Sequence, residues 1–162
     1  MTDNRDAKRR LPVVQNAAEP DEEPRPAWHW VGFGAVAIFV VWLPLAYVAE
    51  AVGRRLSAGK LGPVESHFAE LSRSDRLKVL AMIAVPQALA LVLAGLAGGF
   101  LVTRFGQKTT RRDAAFSGLS VGLLALGLAF SQTGFSLAGL VVPLLATAAA
   151  AAGGAIGVRR AR

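Results

Sequence analysis

Residues 79–103 read VLAMIAVPQALALVLAGLAGGFLVT, twenty-five consecutive residues without a charge. As a helix this run is about 37 Å long at 1.5 Å per residue, enough to cross the roughly 30 Å hydrocarbon core of a bilayer. A water-facing helix of that length needs a polar stripe, and Gln87 and Thr103 are too few to make one. Three further apolar runs share this character, so membrane spans are expected at about 28–51, 77–103, 113–131 and 136–158. The predicted fold class is all-α: a polytopic transmembrane four-helix bundle.

The rest of the 162-residue chain is too short to build a well-stabilised soluble core of its own. Residues 1–26 mix charges of both signs with Pro12, Pro20, Pro24 and Pro26, and carry too few apolar side chains to offset the entropy of ordering. They read as a disordered cytoplasmic tail, and 27–162 as one four-span membrane domain. Trp28 and Trp30 at one end of the first span and Tyr47 at the other match interfacial aromatic belts. That span follows 26 polar residues and reads as an uncleaved anchor, with Pro44 placed near its exit.

The connection after the first span is the longest. Gly62-Pro63 breaks the chain, and Val64, Phe68 and Leu71 then recur at helical spacing, with Glu65, Glu70 and Arg73 on the other side. A short interfacial amphipathic helix is expected over 63–72, with Ser72 or Ser74 capping the next helix and Asp75 in its first turn.

The net charge is +7, and its distribution identifies the counter-charge. The basic residues flank the apolar runs instead of clustering on an arm, which argues against nucleic acid and for anionic lipid headgroups. The tail, the second connection and the C-terminus carry five, four and three Lys or Arg; the first connection carries six and the third none. Four spans place the twelve on one side and the six on the other, so the positive-inside rule predicts a cytoplasmic (inner) membrane protein with both termini cytoplasmic.

Chemistry is bounded mainly by what the chain lacks. With no cysteine, disulfides, thiolate nucleophiles and Cys-ligated metals are excluded. Within the apolar runs 30–48, 79–103, 114–130 and 136–158 there is no Asp, Glu, Lys, Arg or His, which argues against proton-coupled transport, metal-dependent intramembrane proteolysis and haem held by interior histidines. His29 and His67 are far apart and have no carboxylate spacing suited to a metal. No cofactor is expected. The deep polar candidates are Gln87 beside Pro86, and Ser117, Ser120 and Thr147. Gln87 is the foremost of them, because Pro86 frees a backbone carbonyl near Met82 or Ile83.

The positive signal is small-residue spacing. Gly95 and Gly99, Gly118 and Gly122, and Gly153 and Gly157 each stand four apart, which places both members of a pair on one helix face. Missing side chains let backbones approach and gain the van der Waals contact that drives helix association in lipid. The partner face belongs either to this chain or to another: a second copy or a membrane-protein partner. A weaker pattern is an internal repeat. Gly98-Gly99 precedes Arg104 as Gly153-Gly154 precedes Arg159, each with a proline upstream, Pro86 and Pro143. It suggests two helical hairpins of like orientation.

The stretch Gly98-Gly99-Phe-Leu-Val-Thr-Arg104-Phe-Gly106, followed by a short basic loop and by Ala114-Ala115-Phe-Ser-Gly118-Leu-Ser-Val-Gly122, resembles small four-helix bacterial membrane proteins of unknown function. Their shared features are a GGxxxxR helix end and a Gly-rich third span. The resemblance implies a bacterial cytoplasmic-membrane bundle without an established activity.

The function expected from these readings is non-enzymatic: an integral membrane protein that packs or assembles through glycine faces. The alternative is a small transporter or channel-like subunit built of two hairpins, with Gln87, Ser117, Ser120 and Thr147 lining one polar stripe. A lipid-acting enzyme at the interface would need Arg54, Arg55, Lys60, His67 and Glu70 to converge. Because the chain is cysteine-free, its topology is directly testable. Cysteines introduced singly at Gln107 and Arg162 should react with a membrane-impermeant maleimide only from the cytoplasmic side, and those at Ser66 and Gly134 only from the opposite side. Labelling of 66 and 107 from one and the same side overturns the four-span topology.

Overall fold

A computed structural model describes residues 26–61, 71–106, 109–133 and 137–161. They form four α-helices: α1 (Ala27–Leu61), α2 (Arg73–Phe105), α3 (Arg111–Thr133) and α4 (Val141–Ala161). A single 3-10 turn, Leu137–Leu140, leads into α4, and no strand occurs among the described residues. The expected tail (residues 1–25 of it) and most of the expected interfacial helix (63–70 of 63–72) lie outside the described residues.

Local chemistry explains where these helices start and stop. α1 ends at Leu61, immediately before Gly62-Pro63. Of the two serines expected to cap α2, Ser72 does so: its Oγ accepts from the Asp75 N–H at 3.2 Å and donates to the Asp75 carboxylate at 2.7 Å. At the start of α3 the Asp113 carboxylate reaches back to accept from the Thr110 N–H at 2.7 Å and from its hydroxyl at 2.9 Å.

Two expected boundaries move. α1 continues about ten residues beyond the predicted span end at 51, so Pro44 sits in mid-helix and not near its exit. Arg54 and Arg55 therefore belong to the helix, and Arg54 pairs with Glu50 one turn earlier. α4 begins at Val141 and not at 136, which puts Pro143 in its first turn, where a missing N–H costs nothing. Pro86, by contrast, lies well inside α2.

Contacts run α1 to α2, α2 to α4, α4 to α3, and more sparsely α3 back to α1. The hairpin pairs α1–α2 and α3–α4 are antiparallel, and α2 and α4 run parallel. α1 and α2, with 35 and 33 residues, are each about 50 Å long, whereas α3 and α4, with 23 and 21, are about 32–35 Å. The shorter pair matches a bilayer core; the α1–α2 hairpin overshoots it by about 15 Å at the end away from the chain termini.

Among the described residues three helices are long and apolar enough to cross a membrane: α1 over Trp28–Ala58, α2, and α4 over Val141–Arg159, with mean hydropathies of 2.2, 2.3 and 1.9. Side-chain size is sorted inside out relative to a water-soluble protein. The buried set is dominated by Ala90, Ala94, Ala114, Ala146, Ala149, Ala150 and glycines, with Ile38, Val102 and Val121 as its largest fully buried apolar members. Leu93, Phe116, Leu124 and Leu144 point outward, Leu144 at 70% exposure. Water penalises such a surface, while lipid is as apolar as these side chains.

Gly99 and Gly153 mark where α2 and α4 touch through their backbones. A Cβ at Gly99 would collide with the Ala150 carbonyl, and one at Gly153 with the Leu96 carbonyl. Gly32 and Gly127, on the outside, have nothing within 4 Å of such a Cβ. Gly99→Ala should therefore destabilise the bundle by about 1–3 kcal/mol through overpacking. Gly32→Ala and Gly127→Ala should be neutral or stabilising by up to about 1 kcal/mol through helix propensity. Thermal unfolding in detergent compares them, and equal effects at 99 and 32 would refute the backbone contact.

Candidate functional site

Each of the six expected packing glycines faces another helix of the same chain. On α2, a Cβ at Gly95 would stand 2.8 Å from the Ala149 methyl, and Gly99 meets the Ala150 backbone. On α4, Gly153 meets Leu96 of α2, and Gly157 meets the Thr103 hydroxyl. On α3, Gly118 meets Ala146 and Ala150 of α4, and Gly122 meets Pro143. Along α2, Gly95, Gly99 and Thr103 oppose Ala149, Gly153 and Gly157 of α4, level by level, each at a spacing of four. Two matched ladders of small residues thus form one parallel seam.

Thr103 closes this seam. It is buried, and its hydroxyl donates to the Gly154 carbonyl at 3.0 Å across the interface, with its own Gly99 carbonyl at 3.2 Å. The sequence reading missed Thr103, although extending the four-residue period from Gly95 and Gly99 reaches it. Gly34 on α1 was missed as well. A Cβ there would collide with Val102 and Ser117, so three helices converge on it, and no four-residue glycine partner marks it in the sequence.

The hairpin-repeat pattern does not correspond to equivalent positions. An offset of 55 residues pairs Gly98 with Gly153. Gly98 faces Ile38 and Gly34 of its hairpin partner α1, whereas Gly153 faces α2; it is Gly154 that faces the corresponding partner α3, at Ala114. A shift of one residue is a rotation of about 100°, so the matching letters point at different neighbours.

The five polar candidates do not share one cavity. Ser117 is fully buried and donates to the Val31 carbonyl of α1 at 3.0 Å and to its own Asp113 carbonyl at 3.2 Å. Gln87 is half-buried and donates to the Ala46 carbonyl of α1 at 3.3 Å, not to a carbonyl freed by its half-buried neighbour Pro86. Thr147 donates to the Pro143 carbonyl one turn back, at 2.6 Å. Ser120 corrects its expectation: it is exposed. It lies three residues after Ser117, on the flank away from the inward set Ala114, Ser117, Gly118, Val121 and Gly122, and its hydroxyl is satisfied by the Phe116 carbonyl at 2.9 Å. No buried side-chain polar atom among the described residues lacks a partner. Of the residues proposed for interfacial chemistry, Arg54 and Arg55 are exposed on α1, while His67 and Glu70 and the Lys60 side chain lie outside the described set.

A cavity of about 420 Å³ lies at the end of the bundle that carries the α2–α3 connection. It is lined by Thr109, Thr110, Arg111, Ala155, Val158 and Arg159. The Thr109 hydroxyl is turned away to the Val102 carbonyl at 2.8 Å, and that of Thr110 to Asp113, so the two guanidiniums are its charged donors.

Ser117→Ala should cost about 0.6–1.7 kcal/mol, the range for a hydrogen bond between membrane helices, because it strands a carbonyl contact between α1 and α3. Ser120→Ala should cost nothing measurable. Urea or thermal denaturation in detergent micelles decides the matter, and a Ser120 loss as large as that at Ser117 contradicts the assignment of faces. Compared with protein-family models, curated proteins and solved structures, the chain matches none.

Proposed function

We infer that this chain is a non-enzymatic, four-span integral membrane protein whose interior serves packing alone and whose interactions are made at its rims and outer faces. The observation that carries this reading is the state of its interior. Every packing glycine is occupied by a helix of the same chain, and the deep hydroxyls and the Gln87 amide are spent on backbone carbonyls. No titratable group sits among them, and a polar stripe of the kind a pathway needs is missing because Ser120 and Thr147 point elsewhere than Ser117 and Gln87. The transport reading therefore has no observation in its favour.

In this proposal α3 is the fourth span. It lies beside α4 over its length, and its charged first turn sits level with the basic C-terminal end of α4. The distribution of Lys and Arg supports cytoplasmic termini, and the resemblance noted above supports a bacterial cytoplasmic membrane. A second copy or a membrane-protein partner would meet the outward leucines and phenylalanines, not the six glycines.

Proteoliposomes test the proposal. The purified protein should give no flux of protons, potassium or a small neutral solute above protein-free vesicles. A flux that Gln87→Leu or Ser117→Ala abolishes, with the bundle still folded, would replace this reading with transport.

A further inference from the structure

We propose that the cavity between the first turn of α3 and the last turns of α4 binds the phosphate group of an anionic phospholipid headgroup. The chemistry of its wall selects the ligand. Arg111 and Arg159 reach it from two different helices, both are exposed, and no carboxylate among the described residues forms an ion pair with either. Two arginines lining one volume can offer planar, bidentate donors to phosphate oxygens. The nearest acid, Asp113, is held on Thr110 as the helix cap and turned to that purpose. The N-terminus of α3 adds partial positive charge from the same side.

Size and position agree with that chemistry. A volume of about 420 Å³ lies within the roughly 300–1,000 Å³ of small-ligand sites and exceeds what a lone phosphate fills, leaving room for a glycerol or head alcohol. The cavity sits where the helices leave the apolar zone. Phe105 and Ile156 are outward-facing apolar side chains at this end of the bundle, and Ala155 and Val158 add apolar surface to the cavity lining. Acyl chains can lie along the first pair while the headgroup occupies the arginines. Among the described residues this end of the bundle carries Arg104, Arg111, Arg112 and Arg159 against Asp113. That excess concentrates anionic lipid, and the cavity gives it a place to dock.

The inference rests on the bilayer reading, which cysteine labelling tests independently. Full-length protein in mild detergent is titrated with phosphatidylglycerol or phosphatidylcholine and read by native mass spectrometry. Phosphatidylglycerol should form a retained one-to-one adduct and phosphatidylcholine should not. The double variant Arg111→Gln/Arg159→Gln should bind roughly 30-fold more weakly, each surface arginine contributing a factor of about five. Arg54→Gln/Arg55→Gln removes the same charge at the far end and should leave binding unchanged. Ala155→Phe fills the cavity without altering charge and should also abolish the adduct, so the outcome does not depend on the arginine variant folding. Equal loss in the two double variants would mean bulk charge attraction and overturns the site. An adduct with phosphatidylcholine of equal strength overturns the charge selection. Displacement by millimolar inorganic phosphate, without preference for the lipid, overturns the lipid as its source. Any of these results with the expected labelling pattern intact removes the site and leaves the four-span proposal standing.

Discussion

The contact of α2 with α4 is the constraint on which the bundle depends. Parallel helices gain nothing from their dipoles, and in lipid they gain nothing from hiding apolar surface. What remains is close approach. Gly99 on the Ala150 backbone and Gly153 on the Leu96 backbone supply it, and the Thr103 hydroxyl on the Gly154 carbonyl fastens the end of the seam. The other helices are placed by this pair. α1 lies on α2 through Ile38 against Gly98, and α3 lies on α4 through Gly118 and Gly122. Ser117 then joins α1 and α3 where the two outer helices meet.

A bundle closed by backbone contact has little interior to spare for chemistry. Alanine and glycine fill the middle, and the hydroxyls that remain bond carbonyls within reach. Polar character is displaced to the two ends. One end presents the arginine-lined cavity; the other presents the overshooting α1–α2 hairpin with Glu50, Arg54, Asp75 and Lys78 in pairs along its surface.

Much of this was legible in the sequence because the physics involved is local. Charge-free runs of bilayer length mark the helices, and the Ser72–Asp75 spacing starts the second of them. Glycines four apart identify the contact faces, since helical periodicity needs no tertiary information. The errors were of one kind. Pro44 and Pro143 were assigned positions within helices whose ends depend on neighbours, and Ser120 was assumed inward because its chemistry is polar, although its own carbonyl partner on Phe116 lets it face outward.

The sequence by itself determined that the chain is helical, that its helices carry apolar surfaces suited to lipid, and which residues are small enough for backbones to meet. Only the tertiary structure decided which helix each glycine meets, because one residue of register turns a side chain by about 100° and composition is blind to that angle. It also decided that Gly98 and Gly153 are not equivalent, that the polar candidates are dispersed, and that Arg111 and Arg159, 48 positions apart, share a cavity. Those are relations between elements, fixed by how surfaces fit and not by what any single segment prefers.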